Sequence, residues 1–290
     1  MNTNLTTRVR RYAGLVAFSH TVFSLPFAAT AVVLALTVPH ASLTGARLFA
    51  MLVCMVAART SAMAFNRWAD RDIDAVNPRT RSRHVPSGDV RAAEALALSI
   101  GSGAVFLVAA ATLGFWPAVL APAVLAVLLG YSLAKRFTWG AHAWLGVASA
   151  LAPGGAWIAC GAPPHPGIFA LMAAVVTWLL GFDVLYSLQD ASFDREHGLH
   201  SIPARFGVTG ALVLSAASHV VTAACLALTG ALLHRGVLFF VGVAAVSGLL
   251  VYEHALVGKG DLRKIDKAFF DVNAYVSVAF FVTSLLDVLL

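Results

Sequence analysis

Nine apolar runs, each about 20 residues long, divide this chain at approximately 14–38, 46–65, 93–113, 116–134, 143–162, 167–188, 208–232, 236–257 and 268–290. A helix needs that length of mostly apolar residues to cross the hydrocarbon core of a bilayer, and its backbone must satisfy its own hydrogen bonds there. The pattern therefore predicts an all-α polytopic membrane protein with nine transmembrane helices. The third and fourth runs are separated only by the corner at Gly114–Pro117. With 59% hydrophobic and 12% charged residues, the composition lies outside the range of soluble domains.

The basic residues set the orientation. Arg8, Arg10 and Arg11 precede the first run. Arg67, Arg71, Arg79, Arg81, Arg83 and Arg91 follow the second, Lys135 and Arg136 the fourth, Arg195 and Arg205 the sixth, and Lys259, Arg263, Lys264 and Lys267 the eighth. Nine crossings put all of these on one side and Arg47 and Arg235 on the other, so the positive-inside rule makes the first side cytoplasmic. The net charge of +6 is thus a topology signal and gives no support to a nucleic-acid partner; the partner implied is the lipid bilayer, and no protein partner is inferable. The basic start and the 28-AATA-31 stretch imitate a signal peptide, but the run continues past it and a retained first helix is expected. Cys54, Cys160 and Cys225 lie inside apolar runs without metal-ligand spacing and read as small buried hydrophobes.

The acidic residues are placed far less evenly. Of fourteen, Asp70, Asp72 and Asp74 follow the second run, while Asp183, Asp190, Asp194 and Glu196 end or follow the sixth. Four crossings separate the two groups, so both end on the same face, and a parallel pseudo-repeat of helices one to four and five to eight follows. In 66-NRWADRDID-74, Asn66, Asp70 and Asp74 recur every fourth residue, which on a continued helix makes one stripe. In 183-DVLYSLQDASFD-194, Asp183, Tyr186, Asp190 and Asp194 again share one helical face. Two facing carboxylate stripes would repel themselves. A hard divalent cation relieves this, and Mg²⁺ is characteristically held by a few carboxylates with substrate phosphates completing its shell. Arg67, Arg71, Arg79, Lys135 and Arg136 supply cations suited to diphosphate oxygens.

For any single arginine, ordinary topology anchoring competes with this reading, and Arg81 and Arg83 are assigned to it; Asp72 points off the stripe and reads as solvated. Neither topology nor solubility asks for carboxylates at helical spacing twice. Arg59 lies two turns before Asn66 on the same face, inside an apolar stretch, and an intramembrane arginine by default faces a polar cavity; snorkelling is its alternative. His20 either lines the same cavity or is structural. His219 and Asp287 read as structural.

These residues resemble the UbiA superfamily of intramembrane aromatic prenyltransferases over nearly the whole chain. The resemblance rests on NxxxDxxxD at Asn66, Asp70 and Asp74, followed by 77-NPRTRSRHVPSG-88; on 131-YSLAKRFT-138; and on DxxYxxxDxxxD from Asp183 to Asp194. It implies one domain over residues 1–290, nine helices around a central cavity, and two Mg²⁺ ions that bind a polyprenyl diphosphate whose prenyl group moves to an aromatic acceptor. By motif match Asn66, Asp70, Asp74, Asp183, Asp190 and Asp194 are the metal and diphosphate residues. Lys135 and Tyr131 assist the leaving group, Tyr186 belongs to the same motif, and Arg59 lies near the substrates' polar ends. Asp70, Asp74, Asp190, Asp194 and Lys135 are the expected catalytic residues, with Asp194 or Asp190 as alternative proton acceptors.

The 183–207 segment is most similar to the 4-hydroxybenzoate polyprenyltransferase-like branch, which includes menaquinone-pathway members acting on dihydroxynaphthoate. Two departures stand out: Arg67 replaces an acidic residue common in other branches, and His84 a common proline. The expected protein is a bacterial inner-membrane enzyme of ubiquinone or menaquinone biosynthesis with its site facing the cytoplasm. A transporter is the competing class, and an inert scaffold a third.

Overall fold

The helices start and stop where local chemistry requires. A computed structural model describes residues 14–15, 21–257 and 268–290. The helices are α1 Thr21–Ala35, α2 Gly45–Ala69, α3 Arg71–Val76, α4 Ala92–Thr112, α5 Phe115–Ala134, α6 Ala141–Ala159, α7 Pro166–Tyr186, α8 Ala191–Glu196, α9 Ile202–Leu232, α10 Val237–Val257 and α11 Asn273–Leu289. Thr44 caps α2 by accepting from the Arg47 N–H at 3.2 Å, and Ser201 caps α9 through the Ala204 N–H at 3.4 Å. At Gly207, φ +71° breaks α9 one residue before the apolar run beginning at 208, a conformation that favours glycine. Asp287 accepts from the Gly236 and Phe239 N–H groups at 2.9 and 3.1 Å, satisfying donors at the start of α10, so its reading as structural holds.

Among the described residues, seven helical stretches are long and apolar enough to cross a membrane: Gly45–Ala69, Ala92–Thr112, Phe115–Ala134, Pro166–Glu196, Ile202–Leu232, Val237–Val257 and Phe270–Leu289. The other two expected runs are also helical, but differ. Within 14–38 the described helix is the 15-residue α1. The 143–162 run forms α6, whose Gly, Pro, His and Trp content dilutes its apolarity. His20 and the basic residues at 8–11 and 259–267 lie outside the described residues.

The chain forms two compact units, one built on Thr44–Leu133 and one on Val22–Leu43 with Ala134–Leu290. In the first, α2 and α4 are pinned by reciprocal bonds from Ser61 Oγ to the Ser99 carbonyl and from Ser99 Oγ to the Ser61 carbonyl, both 2.9 Å. Phe106, Ala57, Ala110 and Ala121 pack beside them. In the second, Trp178 on α7 packs tilted against Phe27 and edge-on to Phe182, with ring centroids 4.9 Å away in both cases. Its buried indole N–H needs an acceptor and donates to Asn273 Oδ1 at 2.8 Å; Asn273 Nδ2 donates in turn to Glu253 Oε1 at 2.7 Å. His219, also buried there, lies 3.0 Å from His254 and 3.3 Å from the Trp178 carbonyl, so it too is structural. All three cysteines are free thiols; Cys160 is buried as expected, whereas Cys54 and Cys225 are only half-buried.

Small residues let α6 approach α7 closely, the usual device between membrane helices. A Cβ at Gly146 would lie 2.5 Å from the Val176 carbonyl oxygen, and backbone cannot give way. Gly146→Ala is expected to cost about 1–3 kcal/mol of stability, read as a lower melting temperature in detergent. Gly155→Ala, where nothing lies within 4 Å, should leave it unchanged or slightly raised.

Candidate active site

The first carboxylate motif sits where α2 gives way to α3. Asp70 joins them at φ −90°, ψ 4°, in the sparsely populated bridge between helical and extended backbone. The i→i+4 ladder nonetheless continues, from the Asp70 N–H to the Asn66 carbonyl at 2.9 Å and from the Asp74 N–H to the Asp70 carbonyl at 2.7 Å. The stripe is real: Asn66 Nδ2 donates to Asp70 Oδ2 at 2.8 Å. Asp74 is 4% exposed and takes Arg83 Nη1 on both oxygens, at 2.7 and 2.9 Å.

Arg83 reaches back because the 77–83 loop is folded. Asn77 Oδ1 accepts the Arg79 N–H at 2.9 Å, Thr80 Oγ1 donates to the Asp74 carbonyl at 3.2 Å, and the Arg83 N–H donates to the Thr80 carbonyl at 2.9 Å. The topology-anchor assignment of Arg83 is therefore corrected: it is the counter-ion of a motif aspartate. Arg67, buried at the end of α2, lies within electrostatic reach of Asp70, Asp74, Tyr131 and Arg83. Arg71 turns elsewhere, donating to the Trp68 carbonyl at 2.8 Å, lying over the Trp68 ring and pairing with Asp72 at 3.3 Å. Asp72 itself is 81% exposed, as its position off the stripe required. Arg79 and Arg81 are exposed, and Arg59 is half-buried in α2.

The second motif is not the single helical face expected from its spacing. After Asp183 and Tyr186, Ser187–Asp190 tighten into a 3₁₀ turn before α8 begins at Ala191. Three residues per turn instead of 3.6 rotate Asp190 and Asp194 relative to Asp183. Asp190 and Asp194 are both buried. Lys135 Nζ lies 3.7 Å from Asp194 Oδ2, and the loop after α8 is tied back by the Leu199 N–H to the Asp194 carbonyl at 2.8 Å and the His200 N–H to the Lys135 carbonyl at 2.7 Å. Asp183 Oδ2 sits 2.7 Å from His142 Nδ1. His142 was missed from the sequence, since it lies 41 residues away with no motif around it. Tyr186 is half-buried and Arg136 exposed.

The two motifs share one local construction. Each has a long helix, a central aspartate in bridge geometry (Asp70 at φ −90°, ψ 4°; Asp190 at φ −100°, ψ 1°) and a six-residue helix whose fourth residue is the last aspartate. The same backbone device thus occurs at both motifs.

The donor chemistry fits a hard divalent cation. Asp194 is 2% exposed, and its Oδ2 accepts no hydrogen bond and meets the Lys135 ammonium at 3.7 Å, which leaves a buried carboxylate oxygen with room for a bound cation. The motif donors are oxygens, apart from the guanidinium and ammonium groups beside them, which suits Mg²⁺. Among the described residues no three His, Cys, Asp or Glu converge into a metal cage, so phosphate oxygens or water would have to complete the coordination.

Comparison with known proteins agrees with this construction. The UbiA prenyltransferase family matches residues 24–284. A relative, 4-hydroxybenzoate octaprenyltransferase of Nitrosospira multiformis, is 30% identical over 235 residues, 80% of this chain and 79% of that protein. Among solved structures, the apo structure of a UbiA homolog from Aeropyrum pernix K1 superposes with TM-score 0.83 at 33% identity, covering 92% of this chain and 98% of that one. A UbiA homolog from Archaeoglobus fulgidus bound to GPP and Mg²⁺ shares the fold, with TM-score 0.70 at 19% identity, covering 95% and 99%. By its matched family, its motifs and its all-helical membrane fold, this chain belongs to the UbiA prenyltransferase family and is an aromatic prenyltransferase.

Proposed function

We propose that this protein transfers a polyprenyl group from a polyprenyl diphosphate to an aromatic carboxylic acid, 4-hydroxybenzoate or a dihydroxynaphthoate, with Mg²⁺ as cofactor. The reading is carried by the buried Asp194 oxygen that accepts no hydrogen bond, with Lys135 3.7 Å away. The donor type named for relatives supports it: the Archaeoglobus protein was solved with GPP and Mg²⁺, and the Nitrosospira relative is named for 4-hydroxybenzoate.

In this reading Asn66, Asp70, Asp74, Asp183, Asp190 and Asp194 hold the metal and diphosphate. Arg67, Arg79 and Arg136 are the phosphate partners, Arg71 being engaged by Trp68 and Asp72; Tyr131 and Lys135 assist the leaving group, Tyr186 contacts substrate, and Arg59 lies near the substrates' polar ends. Bound Mg²⁺ supplies Lewis-acid stabilisation of the charge building on pyrophosphate. The allylic C–O bond breaks with its electron pair going to pyrophosphate, while the basic side chains stabilise that charge. A ring carbon of the acceptor then forms the new C–C bond, and its proton leaves to Asp190 or Asp194. Apolar helices around the reacting carbon exclude water, the competing nucleophile.

We read the chain as one catalytic domain over residues 1–290, a reading supported by the family match over residues 24–284. We place the enzyme in a bacterial inner membrane, in ubiquinone or menaquinone biosynthesis, a reading supported by the bacterial 4-hydroxybenzoate octaprenyltransferase relative, and the distribution of Lys and Arg supports a site towards the cytoplasm. Membranes containing the protein should be supplied with Mg²⁺, a prenyl diphosphate and each acceptor in turn. A product mass equal to acceptor plus prenyl group minus a proton is expected with one of the two acids, and EDTA should abolish it. Absence of product with both acids, across several prenyl lengths, would sink the reading.

A further inference from the structure

We propose that His142 is the positioning residue for Asp183, fixing one carboxylate oxygen so that the other is presented to the metal and diphosphate; this rests on the reading of Asp183 above. His142 is the second residue of α6 and is 1% exposed. Its two ring nitrogens have different partners. Nδ1 lies 2.7 Å from Asp183 Oδ2 on α7, and Nε2 lies 3.4 Å from the backbone nitrogen of Ile202, the first residue of α9.

The chemistry of those partners settles the proton. The Ile202 N–H is one of the donors left over at a helix start, and it can only donate. Nε2 must therefore accept, which leaves the proton on Nδ1 and makes Asp183 Oδ2 its acceptor. The imidazole is thus locked at both ends, in one tautomer, at the meeting of α6, α7 and α9. Asp183 is the least buried aspartate of its motif, with its side chain 16% exposed, and without this bond its carboxylate would turn freely towards water. A histidine holding a carboxylate, as carboxylates hold metal-bound histidines elsewhere, orients the ligand at no cost in net charge.

A plain structural tie between helices would use the same contacts, and two substitutions separate the roles. An Asn amide overlays the Nδ1 side of the ring and keeps a donor for Asp183 but loses Ile202. A Gln amide overlays the Nε2 side and keeps Ile202 but loses Asp183. Binding of Mn²⁺ would be followed by electron paramagnetic resonance, with an unreactive prenyl thiodiphosphate present, alongside melting temperature.

His142→Gln and His142→Ala are expected to weaken Mn²⁺ binding about tenfold, while His142→Asn restores it. A Mn²⁺ affinity that follows melting temperature across the three variants, or that is lost in Asn and kept in Gln, overturns the assignment. Asp183→Asn is the control. If it weakens Mn²⁺ binding and His142→Gln does not, this inference alone fails. If Asp183→Asn binds like the unmodified protein, the ligand role of Asp183 fails, and this inference with it.

Discussion

Asp194→Asn is expected to lower prenyl transfer about a thousandfold or more, with membrane insertion retained and the melting temperature in EDTA not reduced. The size of the loss follows from removing a preorganised charge at the point where pyrophosphate departs, worth about 10²–10³ for one group, together with a share of metal binding. The stability term has the opposite sign from most core substitutions. Asp194 is 2% exposed and its Oδ2 accepts no hydrogen bond, meeting the Lys135 ammonium at 3.7 Å, beyond hydrogen-bond distance, so the folded apoprotein carries a weakly compensated buried charge that Asn removes. Lys135, left behind, is 35% exposed and stays hydrated. Loss of activity at undiminished stability marks a group kept for chemistry at the expense of the fold. An inactive variant that also melts early would instead make Asp194 structural. Turnover assays and melting curves on the same detergent preparation decide between them.

Arg83→Ala is expected to destabilise the apoprotein by about 2–4 kcal/mol, somewhat below the usual range for breaking a buried pair because Arg83 is partly exposed. Both bonds to Asp74 are short, and the aspartate side chain is only 6% exposed, so truncation strands a buried carboxylate. The loss should be partly reversed by Mg²⁺ with a prenyl diphosphate, because ligands that bind only the folded state stabilise it by linkage and a cation at Asp74 replaces the lost counter-ion. The unmodified protein, with Asp74 already paired, should gain less. Equal stabilisation of both proteins would detach Asp74 from the metal, leaving it a purely structural partner of Arg83.

What the sequence disclosed was what repeats with a period. The apolar runs gave the helices, including both that fall short of a clean span, because backbone in lipid has few alternatives. The four-residue spacing gave the Asn66–Asp70 bond, and Asp72, off that spacing, is solvated. The 3₁₀ turn at Ser187–Asp190 was invisible, since helical spacing is read on the assumption that the helix continues. Nor could a run of arginines say which one turns inward. Arg83, taken for a topology anchor, is brought onto Asp74 by the Asn77–Thr80 turn, while Arg71 is drawn to Trp68 and Asp72. His142 was out of reach for a different reason: a contact between residues 41 apart on separate helices leaves no local trace. Its neighbour in space, not in sequence, gives it meaning.

The most direct measurement is a product balance on the purified protein in detergent, where no transmembrane gradient exists. A prenyl diphosphate and 4-hydroxybenzoate or a dihydroxynaphthoate would be supplied with and without Mg²⁺. Prenylated acid and pyrophosphate appearing one for one, only with the metal and only when Asp70 and Asp190 are both intact, is the expected result. Full turnover in Asp70→Ala or Asp190→Ala, or pyrophosphate release with no prenylated acid under any acceptor, would contradict the assignment of the two carboxylate motifs to prenyl transfer.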